Sequence, residues 1–257
     1  VLKTRVIPTL LWKNIGLVKG VGFNSWRRVG SILPAVKVYN TRQVDEMIIV
    51  DISASRDNNQ PDFEMLSEIA HECFVPLTFG GGINSLEHIT KSLRLGADKI
   101  AVNTAALANP ELITKASERF GSQCVVVSID AIMHEDGDYY CYTHSGSQPT
   151  AYKVLEWAKE VEKLGAGEIL LTDVELDGSM KGYNQDLIRQ VSSAVSIPVI
   201  ASGGAGNLND FSTAILESGA SAVAAASLFH FTQLTPLEIK RHLASKNIMT
   251  RNALVNG

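Results

Sequence analysis

The sequence predicts an α/β protein: a single (β/α)8 barrel built from two similar half-barrels, with residues 1–257 forming one domain. Three observations predict it. Eight short apolar, β-branched runs recur along the chain, amphipathic helical stretches separate them, and the second half repeats motifs of the first.

The apolar runs fall at residues 5–11, 46–52, 75–79, 99–103, 123–130, 168–173, 197–202 and 222–226. They are continuously apolar rather than alternating, which marks strands buried on both faces, as in a parallel sheet. Helical patterns lie between them, for example at residues 61–73, 85–95, 109–120 and 152–164. Asn109-Pro110-Glu111 reads as an N-cap followed by proline at the first helical position. Thr235-Pro236-Leu237-Glu238 reads as a capping box, and Gly96, Gly165 and Gly219 sit where helices should stop. Eight strand–helix units without a linker or low-complexity segment favour a closed barrel over an open sheet.

The repeat is internal to the chain. Val75-Pro76 followed by Gly80-Gly81-Gly82 matches Ile197-Pro198 followed by Ser202-Gly203-Gly204, an offset of 122 residues (76 to 198). Glu46 and Asp51 fall on Glu168 and Asp173 at the same offset. Further on, Gly96-Ala97 matches Gly219-Ala220 and Asn103-Thr104 falls on Ala226-Ser227, an offset of 123 (103 to 226). A half-length repeat of four βα units predicts a pseudo-twofold barrel with two equivalent sites at its C-terminal mouth.

Glycine pairs at strand ends let backbone N–H groups approach an anion with no Cβ in the way. Two phosphate sites are therefore expected on opposite sides of the mouth. One uses Gly81, Gly82, Asn103 and Thr104; the other uses Gly178, Gly203, Gly204, Ala226 and Ser227. Barrels commonly bind phosphate after strands seven and eight beside a short helix N-terminus, and Ser227-Leu228-Phe229-His230-Phe231 suits that turn. The ligand implied is a small molecule with a phosphate at each end. Asp51, Asp130 and Asp177 follow or close apolar strands, where a carboxylate serves as general acid or base if burial raises its pKa. Asp130 is the best placed, because it ends the run Val125-Val126-Val127-Ser128-Ile129. At the opposite end of the barrel stand Arg5, Glu46, Lys99 and Glu168, which by position alone read as a solvated charged rim.

Composition narrows the partners. With 257 residues, 45% hydrophobic and 19% charged, the chain is an ordinary globular protein. A formal net charge of −4 leaves no electrostatic footprint for nucleic acid. No apolar run approaches the roughly 20 residues needed to span a bilayer, so no membrane partner is expected. Val1-Leu2-Lys3-Thr4-Arg5 lacks the apolar stretch of a secretion signal, and a cytoplasmic location is the expectation. Cys73, Cys124 and Cys141 show neither metal spacing nor an even disulfide set, and no metal or other cofactor is expected.

These residues resemble a known family over nearly the whole chain: the cyclase subunit of imidazole glycerol phosphate synthase (HisF). The resemblance rests on Phe-Gly-Gly-Gly-Ile at residues 79–83, Asn-Thr-Ala-Ala at 103–106 and Phe-Gly-Ser-Gln at 120–123. It continues with Gly-Ala-Gly-Glu-Ile-Leu-Leu-Thr at 165–172, Asp-Gly at 177–178 and Ala-Ser-Gly-Gly-Ala-Gly at 201–206. It implies a glutaminase partner (HisH-like) that releases ammonia at the bottom of the barrel. Ammonia then passes to the mouth and reacts with a bisphosphorylated ribulosyl formimino carboxamide nucleotide. The products would be imidazole glycerol phosphate and an aminoimidazole carboxamide ribotide. By the same resemblance Arg5, Glu46, Lys99 and Glu168 become a charged gate for ammonia, and Asp98 a contact with the glutaminase. Lys19, Asp51, Asn103, Asp130, Ser145, Thr172 and Asp177 match positions lining the family's active site.

One position departs from the pattern. The resemblance implies two acid–base aspartates, at the ends of the first and fifth strands. Asp130 is the fifth-strand member, but the first-strand position holds Leu11. The following loop reads Asn14-Ile15-Gly16 in place of Asp-Gly-Arg. Leucine exchanges no proton, and a positioned acid–base group contributes about 10²–10⁴-fold in rate. The expectation is therefore a divergent paralogue, similar to copies associated with bacterial surface-polysaccharide genes. Such a paralogue would hand ammonia to a third, amidating enzyme that converts an acetamido sugar to an acetamidino one. The Arg-Val-Ile-Pro-x-Leu-Leu-x-Lys segment at residues 5–13 is similar to those copies. The alternatives are a working cyclase in which Asp51 or Asp177 replaces the missing acid, and a non-catalytic conduit and scaffold. A related isomerase of the same barrel family (HisA type) also needs paired strand-end acids, and the gate residues favour a glutaminase partner over it. Trp12 and Trp26 have no role in this scheme beyond apolar packing near the first loop.

Overall fold

The computed structural model describes residues 3–13, 16–231 and 234–251. The Val1-Leu2 start and the Asn14-Ile15 pair of the first loop lie outside it, as do the side chains of His230 and Phe231. Strand β1 (Arg5–Lys13) leads into a hairpin of β2 (Gly16–Val21) and β3 (Asn24–Gly30), then α1 (Ile32–Thr41). The units β4 (Met47–Asp51) with α2 (Phe63–Glu72), β5 (Leu77–Gly80) with α3 (Leu86–Arg94), and β6 (Lys99–Val102) with α4 (Thr104–Ala108) and α5 (Glu111–Phe120) complete the first half. The second half opens with β7 (Val125–Met133), a hairpin of β8 (Tyr139–Thr143) and β9 (Gln148–Lys153), and α6 (Val154–Lys163). It closes with β10 (Glu168–Asp173), α7 (Gln185–Ala194), β11 (Val199–Ser202), α8 (Leu208–Leu216), β12 (Ala222–Ala225), α9 (Ser227–Phe231) and α10 (Pro236–Ser245).

Eight of these strands form the predicted TIM barrel, in the ring order β1, β4, β5, β6, β7, β10, β11, β12 and back to β1, all parallel. Alternate residues face opposite ways along each strand. Val6, Leu10, Ile49, Val127 and Ile169 pack outward under the helices, in the large core cluster. Ile7, Ile48, Val126, Leu170 and Ile200 pack inward with Ala101, Ala222 and Ala224 to fill the barrel. That inner layer is why the strand runs are continuously apolar.

Pairing register exposes the half-barrel symmetry residue by residue. Leu11 pairs with Val50, and Asp130 pairs with Thr172. Val50 and Thr172 are themselves separated by the 122-residue offset of the repeat (50 to 172). Ile7 against Ala224 and Val126 against Ala101 give the same correspondence two layers down. Leu11 is thus the counterpart of Asp130 by geometry as well as by resemblance.

Several expectations need trimming. Residues 75–76 precede β5, and Gln123 and Cys124 lie in a 3-10 turn (Ser122–Cys124) ahead of β7. Pro110 has helical dihedrals (φ −57°, ψ −28°), but Asn109 makes no side-chain capping bond, because it closes α4 with its own N–H on the Ala105 carbonyl. The capping box at Thr235 and Glu238 is present, and Gly96, Gly165 and Gly219 turn the chain with positive φ after their helices. The two hairpins were not foreseen. The second had a legible signal: Asp136-Gly137 between apolar runs, with Gly137 at φ 84°. The first turns at Gly22-Phe23, both with positive φ, and Phe is an uncommon residue for that conformation. Among the described residues no helix is long and apolar enough to cross a membrane.

Candidate active site at the barrel mouth

The C-terminal ends of the barrel strands line one deep cavity. Its rim residues follow from the inward registers. β1 contributes Thr9 and Leu11, β4 Val50, β5 Gly80, β7 Ser128 and Asp130, β10 Thr172, β11 Ser202 and β12 Ala224, with Asn103 just after β6 and Ala226 just after β12. Asp51, Gly81, Gly82, Thr104, Ser145, Asp177, Gly178, Gly203, Gly204 and Ser227 line the same cavity, so the sequence-derived set converges on one place. Lys19 is the exception: it lies fully buried in the hairpin beside Asp177 rather than on the cavity wall.

Asp130 is the chemically distinctive group. Burial pushes its carboxyl up to about 7; the Asn103 amide, which donates to Oδ2 at 2.7 Å, opposes the shift, and the nearby Asp177 charge adds to it. A carboxyl balanced near neutrality both gives and takes a proton at physiological pH. Asn103 also donates to the Tyr142 carbonyl at 3.2 Å, which anchors β6 to the second hairpin. Burial likewise raises Asp177, against the pull of Lys19, and burial lowers Lys19 to about 8, against the pull of Asp177. The Lys19 ammonium has no hydrogen-bond partner among the described residues. Asp51 is committed differently: its Oδ1 accepts from the Ser53 and Ala54 amides and the Ser53 hydroxyl at 2.7–3.1 Å, so that oxygen holds the β4 loop.

The glycine pairs are demanded by the turns they make. Gly81 (φ 101°) and Gly203 (φ 85°) sit at symmetry-related turns, where a Cβ would stand 2.2 Å from the Asp51 carbonyl and 2.6 Å from that of Asp173. Each pair is followed around the ring by a short helix opening on Thr104 or Ser227. On the first side the Thr104 hydroxyl accepts from the His144 amide at 3.0 Å, and the Ser145 hydroxyl donates to the Ile52 carbonyl at 2.9 Å. These bonds pull the second hairpin toward β4.

The first hairpin roofs the opposite side. Leu11 pairs with Val18 and shares an apolar cluster with Val18 and Ile52, against which Val50 and Trp26 pack. Trp26 and Phe23 line the cavity, their rings 6.5 Å apart. The Gly22 amide donates to the Asp177 carbonyl at 2.8 Å and fastens the hairpin tip across the mouth. Sequence reasoning missed Phe23, Thr9, Ser128 and Ser202 as lining residues and left Trp26 without a role. The inward periodicity of the strands identifies Thr9, Ser128 and Ser202; nothing local identifies Phe23.

At the other end of the barrel the four charges do not form a solvated rim. Arg5 meets Glu46 at 2.6 Å and Glu168 at 3.1 Å, and Lys99 meets the same two carboxylates at 3.0 and 3.2 Å, closing a ring. Burial alone would raise the Glu46 pKa, yet Arg5 and Lys99 outweigh it and hold the carboxyl below its ordinary value. Burial likewise works against the Arg5 charge, and Glu46 and Glu168 overcome it and raise its pKa. The rim expectation failed because inward-pointing side chains at strand starts converge on the barrel axis. Asp98 is exposed on this face, and its carboxylate accepts from the Leu77 amide at 2.8 Å.

Comparison with known proteins agrees with this architecture. The family model for histidine biosynthesis proteins matches residues 5–235. The imidazole glycerol phosphate synthase subunit HisF of Chlorobium luteolum is 47% identical over 250 residues, covering 97% of this chain and 99% of that protein. The HisF subunits of Chlorobaculum tepidum and Staphylococcus carnosus are 44% and 42% identical with the same coverage.

Proposed function

The chain belongs to the family of imidazole glycerol phosphate synthase HisF subunits, and from that premise we propose that it is the ammonia-using barrel subunit of a glutaminase-coupled complex. A HisH-like glutaminase docks on the face that carries Asp98 and releases ammonia below the ring of Arg5, Glu46, Lys99 and Glu168. The ring is closed by charge pairs, so passage requires one side chain to swing aside. Lys99 is the candidate, since its contacts are longer than the 2.6 Å Arg5–Glu46 bond. Above it the apolar layer around Ile7, Ile48 and Leu170 admits neutral ammonia and penalises ammonium, because an unpaired charge in such surroundings is costly.

At the mouth an elongated ligand spans the two glycine-pair sites, one phosphate on Gly81, Gly82 and Thr104 and the other on Gly178, Gly203, Gly204 and Ser227. Asp130 then moves protons as ammonia adds. The observation that carries this reading is the buried Asp130 carboxyl, raised to about 7 and bonded to Asn103, in the cavity that both glycine pairs line. The substrate proposed is the bisphosphorylated ribulosyl formimino carboxamide nucleotide, cyclised to imidazole glycerol phosphate. Asp177 or Asp51 would take the second proton.

Leu11 favours a second reading. With no acid on β1, the subunit would serve as a paralogue that supplies ammonia to a third, amidating enzyme acting on a surface-polysaccharide sugar. The test is cyclisation of the nucleotide by the purified protein with excess ammonium salt, beside a Leu11→Asp variant. Turnover by the unmodified protein supports the cyclase. Silence there with a gain in the variant supports the paralogue, and silence in both defeats the bisphosphate substrate altogether.

A further inference from the structure

The upper inward residues divide the mouth in two. Going around the ring, β12, β1, β4 and β5 contribute Ala226, Leu11, Val50 and Gly80, which bear no side-chain polar group. The next four strands, β6, β7, β10 and β11, contribute Asn103, Asp130, Thr172 and Ser202, all polar. Each arc is contiguous and covers half the circumference. The arcs do not coincide with the sequence halves. They are displaced from them by one strand, so the division arises only when the barrel closes.

The two glycine-pair sites stand at the boundaries of these arcs. Gly81 and Gly82 follow β5 and face Asn103 and Thr104 after β6. Gly203 and Gly204 follow β11 and face Ala226 and Ser227 after β12. A ligand with a phosphate in each site therefore lies along the line between the arcs, one long edge toward Asp130 and the other toward Leu11. The Leu11 edge is closed by Val18 and Trp26 of the first hairpin together with Ile52, which follows β4. No side chain among Ala226, Leu11, Val50 and Gly80 would pair with a charge there.

We propose that Leu11 sets the ligand specificity of the mouth: the central part of the ligand presents an uncharged, apolar edge to the β12–β1–β4–β5 arc, and its proton-exchanging groups to the Asp130 arc. The inference rests on the two-phosphate reading above and adds the chemical class of what lies between the phosphates. It also assigns the hairpin a reason to close, since an apolar ligand edge extends the Leu11–Val18–Ile52 cluster.

The experiment is calorimetric binding of three synthetic probes: hexane-1,6-diyl bisphosphate, its 3-ethyl derivative and its 3-hydroxy derivative. In the unmodified protein the ethyl branch is expected to tighten binding about tenfold, as two newly buried carbons imply. That gain should vanish in Leu11→Asn and Leu11→Ala and survive in Asp130→Asn, and any gain from the hydroxyl branch should show the reverse dependence. Retained binding of the unbranched probe in the Leu11 variants reports that they are folded with both anion sites intact. An ethyl gain that is absent in the unmodified protein, or that persists in both Leu11 variants, overturns the specificity role while leaving the two phosphate sites standing. Failure of all three probes to bind the unmodified protein defeats the two-phosphate reading, and this inference falls with it.

Discussion

The two strands that carry Leu11 and Asp130 are symmetry mates that match in the barrel interior and diverge at the mouth. Down their inward columns above the charged ring, β1 reads Ile7, Thr9, Leu11 and β7 reads Val126, Ser128, Asp130. The apolar plug and the hydroxyl above it correspond. The mouth position holds a carboxyl pushed up to about 7 on one side and an alkyl group locked under a hairpin on the other. The neighbouring strands repeat the contrast, with Asn103 just after β6 bonded to Asp130 and Ala226 just after β12, the strand that pairs with β1. The difference teaches that the repeat preserves what builds the barrel and its paired glycine turns, while the carboxyl raised toward neutrality stands on one side only.

The sharpest way to break the comparison is to equalise the two sides. Asp130→Asn should lower ammonia-dependent turnover of the assembled complex by about 10²–10⁴-fold, measured at saturating ammonium salt. Unchanged turnover would make the barrel a conduit without chemistry of its own.

The charged ring tests the symmetry at the other end. Glu46 and Glu168 are equivalent in the repeat, but the Glu46 side chain is 2% exposed and that of Glu168 13%. Glu46→Ala leaves Arg5 and Lys99 facing one carboxylate and is expected to cost about 3–5 kcal/mol in urea unfolding. Glu168→Ala should cost less. Equal losses would mean that burial does not distinguish the two halves.

Stability against pH sharpens the comparison further. Burial raises the folded-state pKa of Asp130 to about 7 from the ordinary 3.8, so the folded protein holds this proton more tightly than the unfolded chain. Its contribution is fully present below about pH 4 and is lost as pH rises through about 7. Asp130→Asn cannot ionise. It should therefore gain stability relative to the parent between about pH 4 and 8, by up to roughly 4 kcal/mol. A pH-independent difference would place Asp130 in a far more solvated setting.

The smallest effect concerns the paired turns. Gly81→Ala and Gly203→Ala both force a side chain into positive φ, at an expected cost of about 1–3 kcal/mol each. The first should cost more, because its Cβ would stand closer to a carbonyl oxygen (2.2 against 2.6 Å). Phosphate binding by each variant would show whether the two sites are independent.

Much of this molecule was legible before folding. Continuous apolar runs, helix stops and the 122-residue offset lead to eight buried strands in two related halves, because periodicity and backbone chemistry are local properties. The paired glycine turns were legible for the same reason, as was Asp130 at the end of its run. The hairpin over the mouth was not. Its turn at Gly22-Phe23 carries a weak local signal, and its position depends on contacts with Leu11, Ile52 and Asp177 from other strands.

Sequence by itself determined the barrel, its repeat and the presence of leucine at residue 11. Tertiary structure alone decided what surrounds that leucine. Ring closure sets β12 beside β1 and β6 beside β7, so residues far apart in the chain sort into one apolar and one polar arc. Closure also turns four isolated charges into a buried ring and places one carboxyl where burial holds it near neutrality. Burial and electrostatics depend on what surrounds a group in space, and no local pattern along the chain contains that information.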